Sequence, residues 1–315
     1  MSFSNDVRNE LARIMPEKEC CRKAEIRALL IASGKIVIFG HNKNDIILKV
    51  ETENAATARK IFKLLKAAYH LHPFVKMEKR KRFKIYRVYE VNTFLKKDDI
   101  EAFQKMNIIN SNSLMINQNV SQTAIKRNCC KRSFVRGVFL TRGFINRPEG
   151  NYHLEIILNS NKLAVYIQEL LAKFDLQARI VNRKNSLVLY IKESEQIVDF
   201  LRLVGASKAL LDFENVRIIK SMRNNINRQV NCETANLGKT VNASVRQIEL
   251  IQILIEKNVL DNLPPQLKEL ALLRIDYPDS TLRELGVMLD PPLSKSGVAY
   301  RMRKLENYAQ ELIQK

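Results

Sequence analysis

Apolar and polar positions follow the same order of patterns twice along the first two-thirds of the chain. Each time, an apolar helical pattern leads to two short alternating stretches, an amphipathic helical pattern, two more alternating stretches and a closing helix. Strands that follow one another across short turns favour antiparallel pairing. The patterns therefore predict an α+β fold with a duplicated α-β-β-α-β-β-α unit, whose repeats lie at about 1–107 and 108–215.

The duplication is visible in the helix that opens each copy. The stretch "CCRKAEIRALLIASGKI" (Cys20–Ile36) matches "CCKRSFVRGVFLTRGFI" (Cys129–Ile145) without a gap. Small residues stand four positions apart in both stretches, and so lie on one helical face. Because small side chains let helices approach closely, we expect these two helices to pack side by side. The small residues are Ala28 with Ala32, and Gly137 with Thr141.

The strand patterns stop after residue 215. Residues 216–243 are rich in Asn, which favours caps and turns over helix interiors, so we predict a linker or a broken helix there. The alternative is a segment that docks on a partner or contacts phosphates, because Asn and Arg side chains both bond phosphate oxygens.

Residues 244–315 are predicted to form an all-α domain. Thr281 lies at a helix-start signal, Pro291 follows the end of that short helix, and Ser294 can cap a last helix. These features indicate a helix-turn-helix motif at about 279–312. The alternative is a plain three-helix bundle with a solvated charged face. The last helix has an apolar face at positions i, i+4 and i+7, formed by Val298, Met302 and Leu305.

The charge of the chain favours the DNA-binding interpretation. It has 53 Lys and Arg against 33 Asp and Glu, a formal charge of +20 that an anionic polymer would offset. In a helix-turn-helix motif the second helix enters the major groove, where Arg can pair with guanine and Lys can meet phosphates. We predict double-stranded DNA as the partner. The predicted DNA-binding residues are Thr281, Lys295, Ser296, Tyr300, Arg301, Arg303 and Lys304.

A second basic stretch lies in the predicted strand pair "KMEKRKRFKIYRV" (Lys76–Val88), where Phe83 and Tyr86 are interleaved among cations. It is a candidate for contacts with the DNA backbone. The alternatives are a solvated charged face and a domain that binds protein. The candidate backbone contacts are Lys79, Arg80, Lys81, Arg82, Lys84, Arg223 and Arg228.

The predicted location is the cytoplasm, in association with the nucleoid. No apolar run approaches the ~18 residues that a membrane span needs, and the start "MSFSNDVRNELARIM" has no signal-peptide core. We predict no membrane partner.

The five cysteines are an odd number, which argues against a disulfide framework. Two pairs are vicinal, Cys20–Cys21 and Cys129–Cys130. Zinc ligands are usually spaced along the chain, and adjacent cysteines are expected to point apart. We therefore interpret the pairs as small buried side chains and predict neither a metal nor a cofactor. The four histidines suggest no metal or catalytic set.

The layout resembles the LAGLIDADG homing endonuclease fold, through the motifs "IRALLIASG" (Ile26–Gly34) and "VRGVFLTRG" (Val135–Gly143). The resemblance implies antiparallel, saddle-shaped sheets over DNA. In that family the next-to-last motif residue is an acid that holds a divalent metal, but here these positions are Ser33 and Arg142. Since Mg²⁺ prefers anionic oxygen ligands, we predict a degenerate domain and no enzyme. The alternative is a nuclease with relocated ligands such as Glu155.

The helix-turn-helix region resembles region 4 of bacterial sigma factors. Its pairing with a degenerate LAGLIDADG domain is similar to the WhiA family, most specifically in "YHLEI" (Tyr152–Ile156), "INRQVNCETANLGKT" (Ile226–Thr240) and "LSKSGVAYRMRKL" (Leu293–Leu305). The resemblance implies a bacterial DNA-binding regulator, linked to sporulation, cell division and chromosome segregation, with other transcription or division proteins as partners. The sequence indicates neither the DNA target nor the oligomeric state.

Overall fold

The computed structural model describes residues 2–39, 45–81, 85–120, 125–184 and 186–313. The chain divides into two compact units, Met1–Lys220 and Ser221–Lys315. Among the described residues, no helix is both long and apolar enough to cross a membrane.

The first unit contains the duplicated motif. A short helix that the sequence patterns did not predict, α1 (Phe3–Arg13), precedes it. The first copy consists of α2 (Glu19–Ser33), β1 (Gly34–Phe39), β2 (Asp45–Thr52), α3 (Ala55–Tyr69), β3 (Phe74–Lys81), β4 (Ile85–Leu95) and α4 (Lys97–Lys105). The second copy consists of α5 (Asn128–Arg142), β5 (Gly143–Ile145), β6 (Leu154–Leu158), α6 (Asn161–Ala172), β7 (Arg179–Arg183), β8 (Ser186–Ile191) and α7 (Ser194–Val204).

Each copy builds one antiparallel sheet of four strands, in the order β1-β2-β4-β3 and β5-β6-β8-β7. The order is the same because both copies repeat the same succession of strand and helix patterns. The predicted α+β class and the duplicated α-β-β-α-β-β-α unit are confirmed.

A single helix, α8 (Ser207–Glu256, 50 residues), continues through residues 216–243. The prediction of a linker or broken helix there is therefore wrong for the local structure. Asn lowers helix propensity by well under ~1 kcal/mol per residue, which leaves a helix possible when its other residues favour it. Met222, Ile226 and Val230 recur at helical spacing in this stretch, a pattern that the Asn content obscured.

The second unit contains the remaining helices. After α8 come a 3-10 turn (Leu260–Asn262), α9 (Pro265–Asp276), α10 (Leu282–Met288) and α11 (Lys295–Ile313). Their buried side chains form one core, which includes Leu254, Leu270, Leu285, Val298 and Met302.

The tightest contact in the first unit is between α2 and α5. A Cβ atom added to Gly137 on α5 would lie 2.5 Å from the Glu25 backbone oxygen and 2.8 Å from the Ala28 Cβ, both on α2. Only glycine permits this approach, since real Cβ atoms keep a greater distance. The expected side-by-side packing of these helices is thus present.

A buried ion cluster lies at the same contact. The Glu25 carboxylate on α2 pairs with Lys60 on α3 and with Arg136 on α5, whose Nε lies 3.2 Å from Glu25 Oε1. Lys60 also donates to the Leu11 carbonyl oxygen over 2.8 Å, and Arg136 to the Val204 carbonyl oxygen over 3.1 Å. Glu25 and Lys60 side chains are fully buried. One carboxylate therefore links three helices through its partners, and a buried charge without partners would be costly.

We expect Gly137→Ala to destabilise the first unit by about 1–3 kcal/mol, because the added methyl group overpacks the contact with α2. Gly238→Ala is the matched control, since nothing lies within 4 Å of a Cβ at that exposed position of α8. The control should be neutral or stabilise by about 0.4–1 kcal/mol. Thermal unfolding followed by circular dichroism measures the stability of both variants, and hydrogen exchange of α2 and α5 peptides shows whether the change lies at this contact. Equal effects of both variants would contradict the packing account.

The buried amine of Lys60 should make stability depend on pH. Burial lowers its pKa from 10.5 to about 8, although the Glu25 carboxylate opposes that shift. Between these values the unfolded chain holds a proton that the folded chain does not, so stability should rise with pH. The measured quantity is the free energy of unfolding of the wild type minus that of Lys60→Met. This difference should increase by at most ~1.4 kcal/mol per pH unit between pH 8 and 10.5. A flat or falling difference in urea titrations would refute this.

Candidate nucleic-acid interface

Helix α10 begins with a capping box. The Thr281 hydroxyl accepts a hydrogen bond from the Glu284 amide over 3.3 Å, and Glu284 Oε2 accepts one from the Thr281 amide over 2.7 Å. These bonds satisfy amides that a helix start leaves without partners, and they hold Thr281 at the exposed entrance of the motif.

The turn between α10 and α11 depends on Gly286. The Leu293 amide donates to the Gly286 carbonyl oxygen over 2.8 Å, and a Cβ on Gly286 would lie 2.3 Å from the Leu293 carbonyl oxygen. The Ser294 hydroxyl accepts from the Gly297 amide over 3.3 Å, as expected for the cap of α11. The turn therefore fixes where the first residues of α11 lie.

Helix α11 buries one face and exposes the other. Val298, Met302 and Leu305 are at most 1% exposed, which matches the apolar face expected from their spacing. The opposite side carries Lys295, Ser296, Arg303 and Lys304 in exposed positions, with Arg301 half-buried beside them. The structure thus places these predicted residues on one helix.

The cations of α11 are available to a ligand. In the part of the chain that the structure describes, Lys295, Arg301 and Arg303 form no salt bridge. The Lys304 ammonium lies 4.8 Å from the centre of the Tyr300 ring, and Tyr300 is 60% exposed. This cation–π contact leaves both side chains at the surface.

A buried arginine that sequence reasoning missed holds the entrance to α10. Arg274 on α9 is 2% exposed. Its guanidinium donates to the Ser280 carbonyl oxygen over 2.6 Å and lies 3.4 Å from both Ser244 Oγ and the Pro278 carbonyl oxygen. Burial lowers its pKa. Arg274 therefore links α8, α9 and the loop that leads to Thr281. In the sequence, the sign of this role is that a charged residue, Arg274, lies inside an apolar helical pattern.

In the first unit, the positions of the missing acids lie at the ends of α2 and α5. Ser33 Oγ donates to the Leu29 carbonyl oxygen of its own helix over 2.9 Å. Arg142 Nε donates across the interface to the Ala32 carbonyl oxygen over 2.7 Å, and burial lowers the pKa of this guanidinium. Arg142 thus satisfies a carbonyl at the end of α2, and its positive charge opposes metal binding there.

A pocket of about 490 Å³ lies beside these two residues. Two of its carboxylates have polar partners nearby: Glu155 Oε2 lies 3.1 Å from His153 Nε2, and Glu51 Oε1 lies 3.2 Å from the Lys49 ammonium. These partners compete with a divalent metal ion for the carboxylate oxygens that it prefers as ligands. The charged residues that line the pocket are Arg8, Lys35, Arg80, Arg142, Glu51, Glu53 and Glu155.

Only some of the cations on β3 are free of carboxylate partners within the described residues. Arg80 pairs with Glu51, Glu78 and Glu90 at 2.9–3.3 Å, and the bonds to Glu51 and Glu78 raise its pKa. Its prediction as a backbone contact is weakened, because strand pairing brings carboxylates from β2 and β4 beside it. Lys79 and Lys81 are exposed.

Arg223 and Arg228 are exposed on α8, and lie on a helix rather than on the predicted linker. Arg82 and Lys84 lie outside the described residues. The structure does not bring together in one unit all the residues predicted to contact DNA: those on β3 belong to the first unit and those on α8 and α11 to the second.

The fold and these surfaces define a protein with a duplicated LAGLIDADG-like domain whose acids are missing, followed by a helix-turn-helix domain. Three protein-family models match successive segments of the chain and agree with this organisation. The WhiA N-terminal LAGLIDADG-like domain matches residues 19–109, the WhiA LAGLIDADG-like domain matches residues 131–223, and the WhiA C-terminal HTH domain matches residues 226–309.

The chain belongs to the WhiA family. It is 57% identical to the "Probable cell division protein WhiA" of Syntrophomonas wolfei, over 100% of this chain and 99% of the relative. The protein of the same name from Heliobacterium modesticaldum is 46% identical, over 98% and 96%. The crystal structure of full-length WhiA from Thermotoga maritima covers 99% of both chains, with a TM-score of 0.60 and 25% identity.

Proposed function

We propose that this chain is a sequence-specific binder of double-stranded DNA that regulates transcription in connection with cell division, and that it does not cleave DNA. The observation that carries the proposal is the exposed basic side of α11, whose N-terminus is fixed by the Ser294 cap and the Gly286 turn. The formal charge of +20 supports an anionic partner.

Different parts of α11 would make different contacts with DNA. Lys295 and Ser296 lie in its first turn, the part of a recognition helix that meets base edges in the major groove. Arg303 and Lys304 lie about two turns later and would contact phosphates, while the exposed Thr281 hydroxyl lies at the start of the preceding helix. Lys79, Lys81, Arg223 and Arg228 would add contacts with the DNA backbone.

The link to cell division rests on the family. Both relatives described above carry the name of a cell division protein. A regulator of this kind would act in the cytoplasm at the nucleoid, and other transcription or division proteins would be its partners. Chromatin immunoprecipitation with sequencing would identify the genes it controls.

We expect Lys295→Ala and Arg301→Ala to weaken binding to a target duplex and to reduce its preference over a scrambled duplex. Loss of one base contact costs about 1–3 kcal/mol, which is roughly 5- to 150-fold in affinity. Binding should also fall with salt, with a slope in log K of about −0.9 per neutralised phosphate. Fluorescence anisotropy over a salt series measures both effects.

Lys162→Ala is the matched control, because it removes the same charge from an exposed position on α6. It should leave sequence preference unchanged. Salt-insensitive binding, or equal behaviour of all three variants, would contradict the assignment of DNA reading to α11.

The second candidate function is a metal-dependent endonuclease with relocated ligands. The observation in its favour is that Glu51, Glu53 and Glu155 line one pocket at the ends of α2 and α5. Against it stand the cations that line the same pocket, which repel a metal ion and compete for these carboxylates.

We expect supercoiled plasmid to remain intact with the full chain in Mg²⁺ or Mn²⁺. Neither Ser33 nor Arg142 offers the carboxylate that would orient a metal-bound nucleophile. Nicking that survives repeated purification and disappears in Glu155→Gln, but not in Ser33→Ala, would establish the endonuclease instead.

A further inference from the structure

The two vicinal cysteine pairs meet at the starts of α2 and α5. The Sγ atoms of Cys20, Cys21, Cys129 and Cys130 all lie within 4.8 Å of one another, and those of Cys129 and Cys130 are 4.0 Å apart. The expectation that adjacent cysteines point apart is therefore wrong for this cluster. Cys21 and Cys130 are buried, and Cys20 and Cys129 are partly exposed.

We propose that these four cysteines bind one Zn²⁺ ion as a tetrahedral tetrathiolate site. A Zn–S bond of about 2.3 Å sets the sulfur–sulfur separation in such a site at about 3.8 Å. The observed separations need to shorten by at most about 1 Å, which side-chain rotation can supply. Four sulfur ligands in tetrahedral reach select zinc over Mg²⁺ or Ca²⁺, which prefer oxygen.

The surroundings suit the charge of the site. Four thiolates and Zn²⁺ carry a net charge of −2, and both cysteine pairs lie in the first turn of a helix, where the macrodipole and unpaired amides favour negative charge. Neither α2 nor α5 has a side-chain cap at its start, and the residues that precede the helices are Lys18 and Arg127. The Cys21 amide already donates to the Lys18 carbonyl oxygen over 3.0 Å, so the helix starts favour the thiolates chiefly through the macrodipole.

A route to solvent exists for the ion. A pocket of about 630 Å³ is lined by Cys21 and Cys129, together with Lys18, Arg132 and Arg136. Zinc could enter through it, with loss of the thiol protons to water. The bound ion would join the starts of α2 and α5, while the Arg142–Ala32 hydrogen bond joins their ends.

The test is the zinc content of the full chain, purified under reducing conditions without chelator. We expect one zinc per chain by elemental mass spectrometry, and Co²⁺ in its place should give thiolate charge-transfer and tetrahedral d–d absorption. Cys20→Ser with Cys129→Ser should abolish both signals. Cys232→Ser is the matched control, since that exposed cysteine lies on α8 and should change neither.

Chelation should also lower the melting temperature of the wild type, because zinc binds the folded state. It should not affect the double variant. These readouts are independent of DNA binding, and the measurements on the wild type stand even if the double variant fails to fold. The proposal is overturned if fully reduced protein neither contains nor takes up zinc or Co²⁺, if the cysteines are found as disulfides, or if the folded double variant keeps its zinc.

Discussion

The close packing of α2 on α5 is the constraint on which the first unit depends. Gly137 brings the helices together at Glu25, and the buried Glu25 carboxylate then requires Lys60 and Arg136 as partners. Because β1 and β5 follow directly from the ends of these helices, the same contact sets where both sheets begin. A substitution at this point would disturb packing, charge pairing and strand placement together.

The ends of α2 and α5 keep the packing of the LAGLIDADG-like fold but carry Ser33 and Arg142 in place of acids. The resemblance of the two motifs to LAGLIDADG endonucleases implies an acid at each of these positions, whereas here Arg142 donates to the Ala32 carbonyl oxygen and Ser33 bonds within its own helix. Both side chains now stabilise helix ends. The α2–α5 pair therefore serves packing, and the proposed DNA recognition by the basic side of α11 needs no catalytic group.

Local pattern predicted the duplicated unit, the capped turn and the apolar face of α11, since each depends on residues that are near in sequence. Long-range contacts escaped it. The ion pairs of Arg80 depend on which strands pair, and Arg274 donates to a loop that sequence spacing does not reveal. The sequence pattern did not predict the continuity of α8, because Asn, which favours caps and turns, is frequent where Met222, Ile226 and Val230 recur at helical spacing. The convergence of the cysteines arises from the helix packing, so neither pair predicts it alone.

Hydrogen–deuterium exchange of the full chain, with and without a target duplex, tests most directly the claim that α11 contacts DNA and that the α2–α5 helix pair does not. We expect slower exchange in the first turn of α11 and at the start of α10, and unchanged exchange at the α2–α5 contact. Protection confined to the ends of α2 and α5, with none in α11, would contradict the account.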